Sequence, residues 1–275
     1  MNTPVVNTAD VKATIAIPVD GPWFEGHFPG RPILPGVAEL ALAIAALRQE
    51  TGKPLPLRGV AFARLRQLVL PGDRLELSAR ERAGPEGEVA RLRLDLKRDG
   101  VLVANGEFIV GTPLPQPGAL PGHRTRTALG GIVPAGILPS AEALLPHRPP
   151  MRFVDSILKQ SADGLDCIAR IPGRCALVSG GSAPTVAAIE AAAQTAAVWE
   201  ALQRWRGKGE AAPRVGYLVA MRDVVFFTER IPADQSLLVS AHLEAASPPL
   251  THYRFEVSLD GLRLVRGAIG TFLAA

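Results

Sequence analysis

Two segments of this 275-residue chain repeat one order of elements, and that duplication limits the fold more than any other feature. The first reads as a short strand near 11–19, a Gly/Pro-rich loop at 20–35, an apolar helix near 36–50, and alternating segments near 58–70, 74–84, 88–98 and 101–111. The second reads as strands near 151–159 and 163–171, a Gly/Ser loop at 173–184, an Ala-rich helix near 185–205, and strands near 214–228, 235–246, 251–259 and 262–273. Both set a Pro-X-Asp turn before the same strand, Pro71-Gly72-Asp73 and Pro232-Ala233-Asp234. Period-two alternation, as in Arg74-Leu75-Glu76-Leu77 and His252-Tyr253-Arg254-Phe255, suits antiparallel strands. One apolar helix among such strands is best buried by a sheet that curls around it, which predicts an α+β architecture with two sheets able to pair.

Between the repeats, residues 113–140 carry many Pro and Gly and no sustained periodicity, and read as a connector. The predicted domains are therefore 1–112 and 141–275, each long enough for its own core. A hydrophobic fraction of 47% with 20% charged residues is globular. The net charge of +4 comes with no Lys/Arg-rich block, so no nucleic-acid partner is expected. No apolar run approaches a membrane span, and the first residues lack a basic start followed by an apolar stretch. Cys167 and Cys175 have no ligand-like spacing to a second pair, which excludes a disulfide framework and a Cys-rich zinc site. A cytoplasmic location follows as the expectation.

Two places carry chemistry. Trp23-Phe24-Glu25-Gly26-His27-Phe28-Pro29-Gly30, followed by Arg31-Pro32-Ile33-Leu34-Pro35-Gly36, holds His27 in a rigid loop before a helix. Imidazole suits proton transfer near neutral pH. A loop-capping histidine fits this position equally well. In the second helix Glu190 is the one charge of a long apolar stretch, and Gln194 lies one turn further on the same face. Such a carboxyl must be paired, face a cavity, or keep its proton; the alternative is an exposed helix edge.

The run Gly26-His27-Phe28-Pro29-Gly30 through Gly36 and the helix after it resemble the hotdog-fold 3-hydroxyacyl-[acyl-carrier-protein] dehydratases. Leu145-Pro146-His147-Arg148-Pro149-Pro150-Met151, the Glu190–Gln194 helix and Val215–Arg222 are similar to other parts of that family. Taken together, the chain resembles a fusion of the two dehydratase subunits of aryl-polyene pathways, which implies a double hotdog. In this family a loop histidine from one unit meets a helix acid from the other. By that resemblance His27 matches the histidine and Glu190 the acid. The first helix has Ala41 at the acid position. Glu39, two residues earlier, is turned away by ~200°. The second loop has no histidine. One complete site, His27 with Glu190, and one degenerate site are implied, and fusion would keep the unlike units together.

The implied chemistry is loss of water from a 3-hydroxyacyl thioester: His27 as base at C2, a protonated Glu190 as acid, and Gln194 orienting it. Thr185 and Gly36, at the helix starts, position substrate, with backbone N–H groups around Thr185 receiving the thioester oxygen. No metal or cofactor is implied, and no nucleotide motif is present. The implied partners are acyl carrier protein, ketosynthase and ketoreductase enzymes of the same pathway, and further copies of the chain. Arg80, Arg82, Lys97 and Arg98 are candidates for carrier docking, against a reading as solvated strand charges. His147 is taken as structural, anchoring the start of the second unit. His123 reads as a solvated residue of the connector, and His242 and His252 as bystanders on late strands. A hotdog thioesterase and a non-catalytic partner subunit remain as alternatives.

Overall fold

A computed structural model describes residues 10–82, 90–115, 138–209 and 212–274. Most of the expected connector, with His123, lies outside the described residues. The elements run β1 (Val11–Ala16), α1 (Gly36–Thr51), β2 (Leu57–Leu65), β3 (Arg74–Arg82), β4 (Ala90–Arg98), β5 (Val101–Val110), α2 (Ala141–Leu144), β6 (Val154–Gln160), β7 (Gly164–Ala169), β8 (Ser182–Pro184), α3 (Ala187–Lys208), β9 (Gly216–Phe226), β10 (Arg230–Pro232), β11 (Leu237–Ser247), β12 (Leu250–Leu259) and β13 (Leu262–Leu273). The sequence reading finds every long element within a few residues. It misses α2 and the three-residue pair β8 and β10, which are too short to show a period.

Eleven strands form one antiparallel sheet in the order β1-β3-β4-β5-β2-β9-β13-β12-β11-β7-β6. The strands before residue 111 hold one side and those after 153 the other. They meet where β2 pairs with β9, Phe62 opposite Arg222 and Gly59 opposite Val225. Gly59 is required at this seam, because a Cβ there would stand 2.2 Å from the Val224 carbonyl oxygen.

The duplicated turns do matching work. The Asp73 carbonyl accepts from Ile17 N–H at the end of β1, and Asp234 N–H donates to the Ile171 carbonyl after β7. Asp234 Oδ1 also accepts from Gly173 N–H. The two long helices, α1 and α3, lie in the core rather than on it. Residues 187–192 of α3 are all buried, and α3 packs on β6, β7, β11, β12, β13 and α1. Apolar residues on every face of α3 thus reflect burial nearly all round. Cys167 and Cys175 are buried free thiols whose pKa is pushed up by burial, to about 12 and about 11. No helix among the described residues is long and apolar enough to cross a membrane.

Candidate active site

The loop carrying His27 docks directly on the segment before β6. Arg148 N–H donates to the Gly26 carbonyl at 2.9 Å. Gly26 has φ +79, and a Cβ there would lie 1.9 Å from the Arg148 carbonyl oxygen. Only glycine permits this approach. It brings His27 beside His147, with ring centroids 5.3 Å apart and the Phe28 ring against both.

His147 is therefore not a remote anchor, and the structural reading of it is corrected: its Nε2 lies 3.4 Å from Glu190 Oε1. His27, His147 and Glu190 are all buried, and each offers a ligand-capable atom within 4.8 Å of the others. That spacing suits proton exchange and would also admit a divalent ion. The sequence carries a signal for His147 that is visible only afterwards: Pro146 and Pro149-Pro150 frame it as Pro and Gly frame His27.

Gln194 fixes the carboxyl. Its Nε2 donates to Glu190 Oε1 at 3.0 Å and to the Met151 carbonyl at 2.7 Å, while its Oε1 accepts from Phe153 N–H at 2.8 Å. One amide thus ties α3 to the segment that holds His147. His27 Nδ1 lies 2.8 Å from the Ile33 carbonyl oxygen. A carbonyl can only accept, so Nδ1 bears the hydrogen of the neutral ring and Nε2 keeps a lone pair. Burial lowers the His27 pKa to about 4, against the raising effect of Glu190. Burial alone would raise Glu190. Its hydrogen bond and charge interaction with His147, the charge of His27 and the Gln194 hydrogen bond outweigh it and hold the carboxyl below its ordinary range. Glu190 thus does not simply keep its proton, as a lone buried acid would.

These groups line a cavity of about 380 Å³. Glu190, Ala193, Ala197, Glu200 and Arg204 form one stripe of α3 along it, spaced three and four apart. At 1.5 Å per residue the stripe is about 21 Å long. The two alanines leave room for a chain, and the far end opens at Arg204 and the exposed Arg214. Across the cavity lie Gly36 and Glu39 at the start of α1. Glu39 is 3% exposed, and its Oε2 has no hydrogen-bond partner among the described residues. Burial, and then the charge of Asp73, push its pKa well above the ordinary range.

Thr185 belongs elsewhere. It lines a second cavity, its N–H donates to the Glu229 carbonyl at 3.1 Å, and its Oγ1 donates to the Thr228 carbonyl at 2.7 Å. The expectation that it serves beside Glu190 is corrected, for a geometric reason. Thr185 precedes α3, which starts at Ala187, and its bonds to the 228–229 backbone hold it on the second cavity rather than beside Glu190. The helix start that shares the cavity with His27 and Glu190 is Gly36.

The proposed docking cations are also revised. Arg80 pairs with Asp10 at 2.8 Å. Arg98 bonds to Asp73, the Leu68 carbonyl and Gln67, clamping the turn before β3. Lys97 is exposed and sits opposite Glu76. The Arg82 side chain lies outside the described residues. None of these lines the cavity, whose basic residues are Arg66, Arg204 and Arg214. His242 stands 3.7 Å from Asp163, remote in the sheet.

The whole chain shares its fold with double-hotdog dehydratase domains. One is the dehydratase domain of PpsC from Mycobacterium tuberculosis, solved with C12:1-CoA, at a TM-score of 0.65 and 15% identity over 99% of this chain and 97% of that one. Another is the dehydratase domain of a mycocerosic acid synthase-like polyketide synthase, at a TM-score of 0.68 and 13% identity over 99% and 94%. At such identities the likeness is one of fold. Sequence likeness goes further. Residues 4–107 match the ApeI-like family model, described as ApeI dehydratase, and residues 139–275 match the ApeP-like model, described as ApeP dehydratase. The 3-hydroxyacyl-[acyl-carrier-protein] dehydratase FabZ of Myxococcus xanthus is 41% identical over 102 residues, 34% of this chain and 66% of that protein. FabZ of an Anaeromyxobacter species is 38% identical over 109 residues, 36% and 69%. The chain thus spans about two thirds of the length of these curated relatives. It belongs to the FabZ-related family of hotdog dehydratases, as a fusion of an ApeI-like and an ApeP-like unit.

Proposed function

We propose that this protein converts 3-hydroxyacyl thioesters on acyl carrier protein to trans-2-enoyl thioesters, in fatty-acid or aryl-polyene-type chain elongation. One observation carries the reading: a neutral His27 with a free Nε2 faces a hydrogen-bonded Glu190–His147 pair in a cavity long enough for an acyl chain. His27 Nε2 takes the C2 proton. The electron pair released forms the C2–C3 double bond as the C3–O bond breaks. The departing hydroxyl leaves as water with a proton from the Glu190–His147 pair, which holds it in the closed complex. Negative charge building on the thioester oxygen is met by the Gly36 N–H at the start of α1, since the Ala38 and Glu39 N–H groups already donate to the Pro35 carbonyl. Product release returns the proton from His27 to the pair through water.

Arg66, Arg204 and Arg214 would receive the acidic carrier and the phosphate of its pantetheine arm. The test is turnover of 3-hydroxyacyl carriers, with product resolved by mass spectrometry. His27→Ala and Glu190→Ala should each lose about 10²–10⁴ in rate, the usual share of acid–base catalysis. Near wild-type dehydration by either variant defeats the proposal, and release of free thiol in place of an enoyl product points to a thioesterase.

A further inference from the structure

The second cavity repeats the first, position by position. His27 precedes Gly36 by nine residues, and Ala176 precedes Thr185 by nine. Glu190 follows Thr185 by five residues, and Ala41 follows Gly36 by five. Ala176 and Ala41 both line the second cavity, as His27 and Glu190 line the first. The match continues outward: Leu177 stands where Phe28 stands, and Ile44, Ala45 and Arg48 stand where Ala193, Gln194 and Ala197 do. Both cavities have a volume of about 380 Å³, within the range of small-molecule sites. The base and the acid have been cut back to methyl groups, yet the space along the helix remains. Protein interiors normally fill such apolar space with side chains.

We propose that this cavity binds a second acyl chain that the protein holds but does not turn over. The identity of the ligand class rests on the function proposed above, through the correspondence of the two cavities. Three features make the site inert. No group at Ala176 can take a C2 proton, and none at Ala41 can give one to a leaving hydroxyl. The Thr185 N–H, at the place of Gly36, is already bonded to the Glu229 carbonyl. What remains is an apolar channel between α1 and the 176–186 segment. It opens at Ala45 and Arg48, which are both exposed. A thioester-linked acyl group and a free fatty acid share the chemistry this channel fits.

The experiment measures binding to the full chain by isothermal titration. The first probe, octanoyl-pantetheine, lacks the 3-hydroxyl and cannot react. Two equivalents per chain are expected. Ala176→Trp fills the second cavity and should leave one equivalent, with dehydration unchanged. Ala41→Phe blocks the same space from α1 and serves if the first variant does not fold. Octanoate as a second probe separates the sources: a free acid occupies the second cavity alone, whereas a thioester site ignores it. One equivalent or none in the wild-type chain, or two that survive both blocking variants, overturns the inference. Loss of the dehydratase reading shows differently, as absence of enoyl product whatever the stoichiometry.

Discussion

Replacing Glu39 with glutamine should make this protein more stable, by an amount that grows with pH. Its carboxyl is buried at the start of α1, one oxygen has no hydrogen-bond partner among the described residues, and Asp73 adds repulsion. Leaving a buried polar group unsatisfied costs about 1–3 kcal/mol. The pH dependence follows from linkage. The folded state holds the Glu39 proton well above the ordinary range, and the unfolded chain releases it near pH ~4.3. Below that pH both states are protonated and nothing is lost. Above it the folded protein loses about 1.4 kcal/mol per pH unit until Glu39 ionises in place. Glutamine mimics the protonated acid at every pH, so the variant should match wild type near pH 4.5 and exceed it increasingly towards pH 7. Each kcal/mol corresponds to roughly 2–4 °C for a chain of about this size. Calorimetric melting of both proteins from pH 4.5 to 8 measures it. A glutamine variant that melts lower, or a difference flat across pH, refutes the reasoning.

Dehydration should persist in acid further than an ordinary histidine base allows. The base must be neutral, so kcat/KM should fall as pH drops through about 4 rather than 6.5, read from initial rates in overlapping buffers. Gly26→Ala forces the His27 loop off the Arg148 carbonyl, and should cost at least about 10² in turnover, since small misplacements carry that penalty. Its melting temperature, measured alongside, should also fall. Prolonged chelation should leave turnover intact if the His27–His147–Glu190 cluster works by proton transfer, and restoration by added zinc would contradict that.

The strand and helix pattern was legible because burial on one side or all round leaves its period in the residues, as in β3 and α3. His27 and Glu190 stood out by their settings, a rigid loop and an apolar helix. His147 did not, because its meaning depends on docking Gly26 against Arg148 across more than a hundred residues. Thr185 was misassigned because the cavity it lines is set by its bonds to the 228–229 backbone, more than forty residues away, which leave no trace in the local sequence. Glu39 was seen to face away from Ala41, but not what it faced. That is the cavity of the opposite unit's acid, which only the pairing of β2 with β9 defines.

That strand pairing has a sorting consequence. Cut apart, each unit would expose β2 or β9 as a bare edge, ready to zip onto a twin as readily as onto its proper mate. Twinned front units would assemble pockets with His27 but without the Glu190–His147 pair, and twinned rear units pockets with that pair but without His27, so neither product would hold all three groups together. Covalent continuity between the two edges removes this futile choice before folding begins.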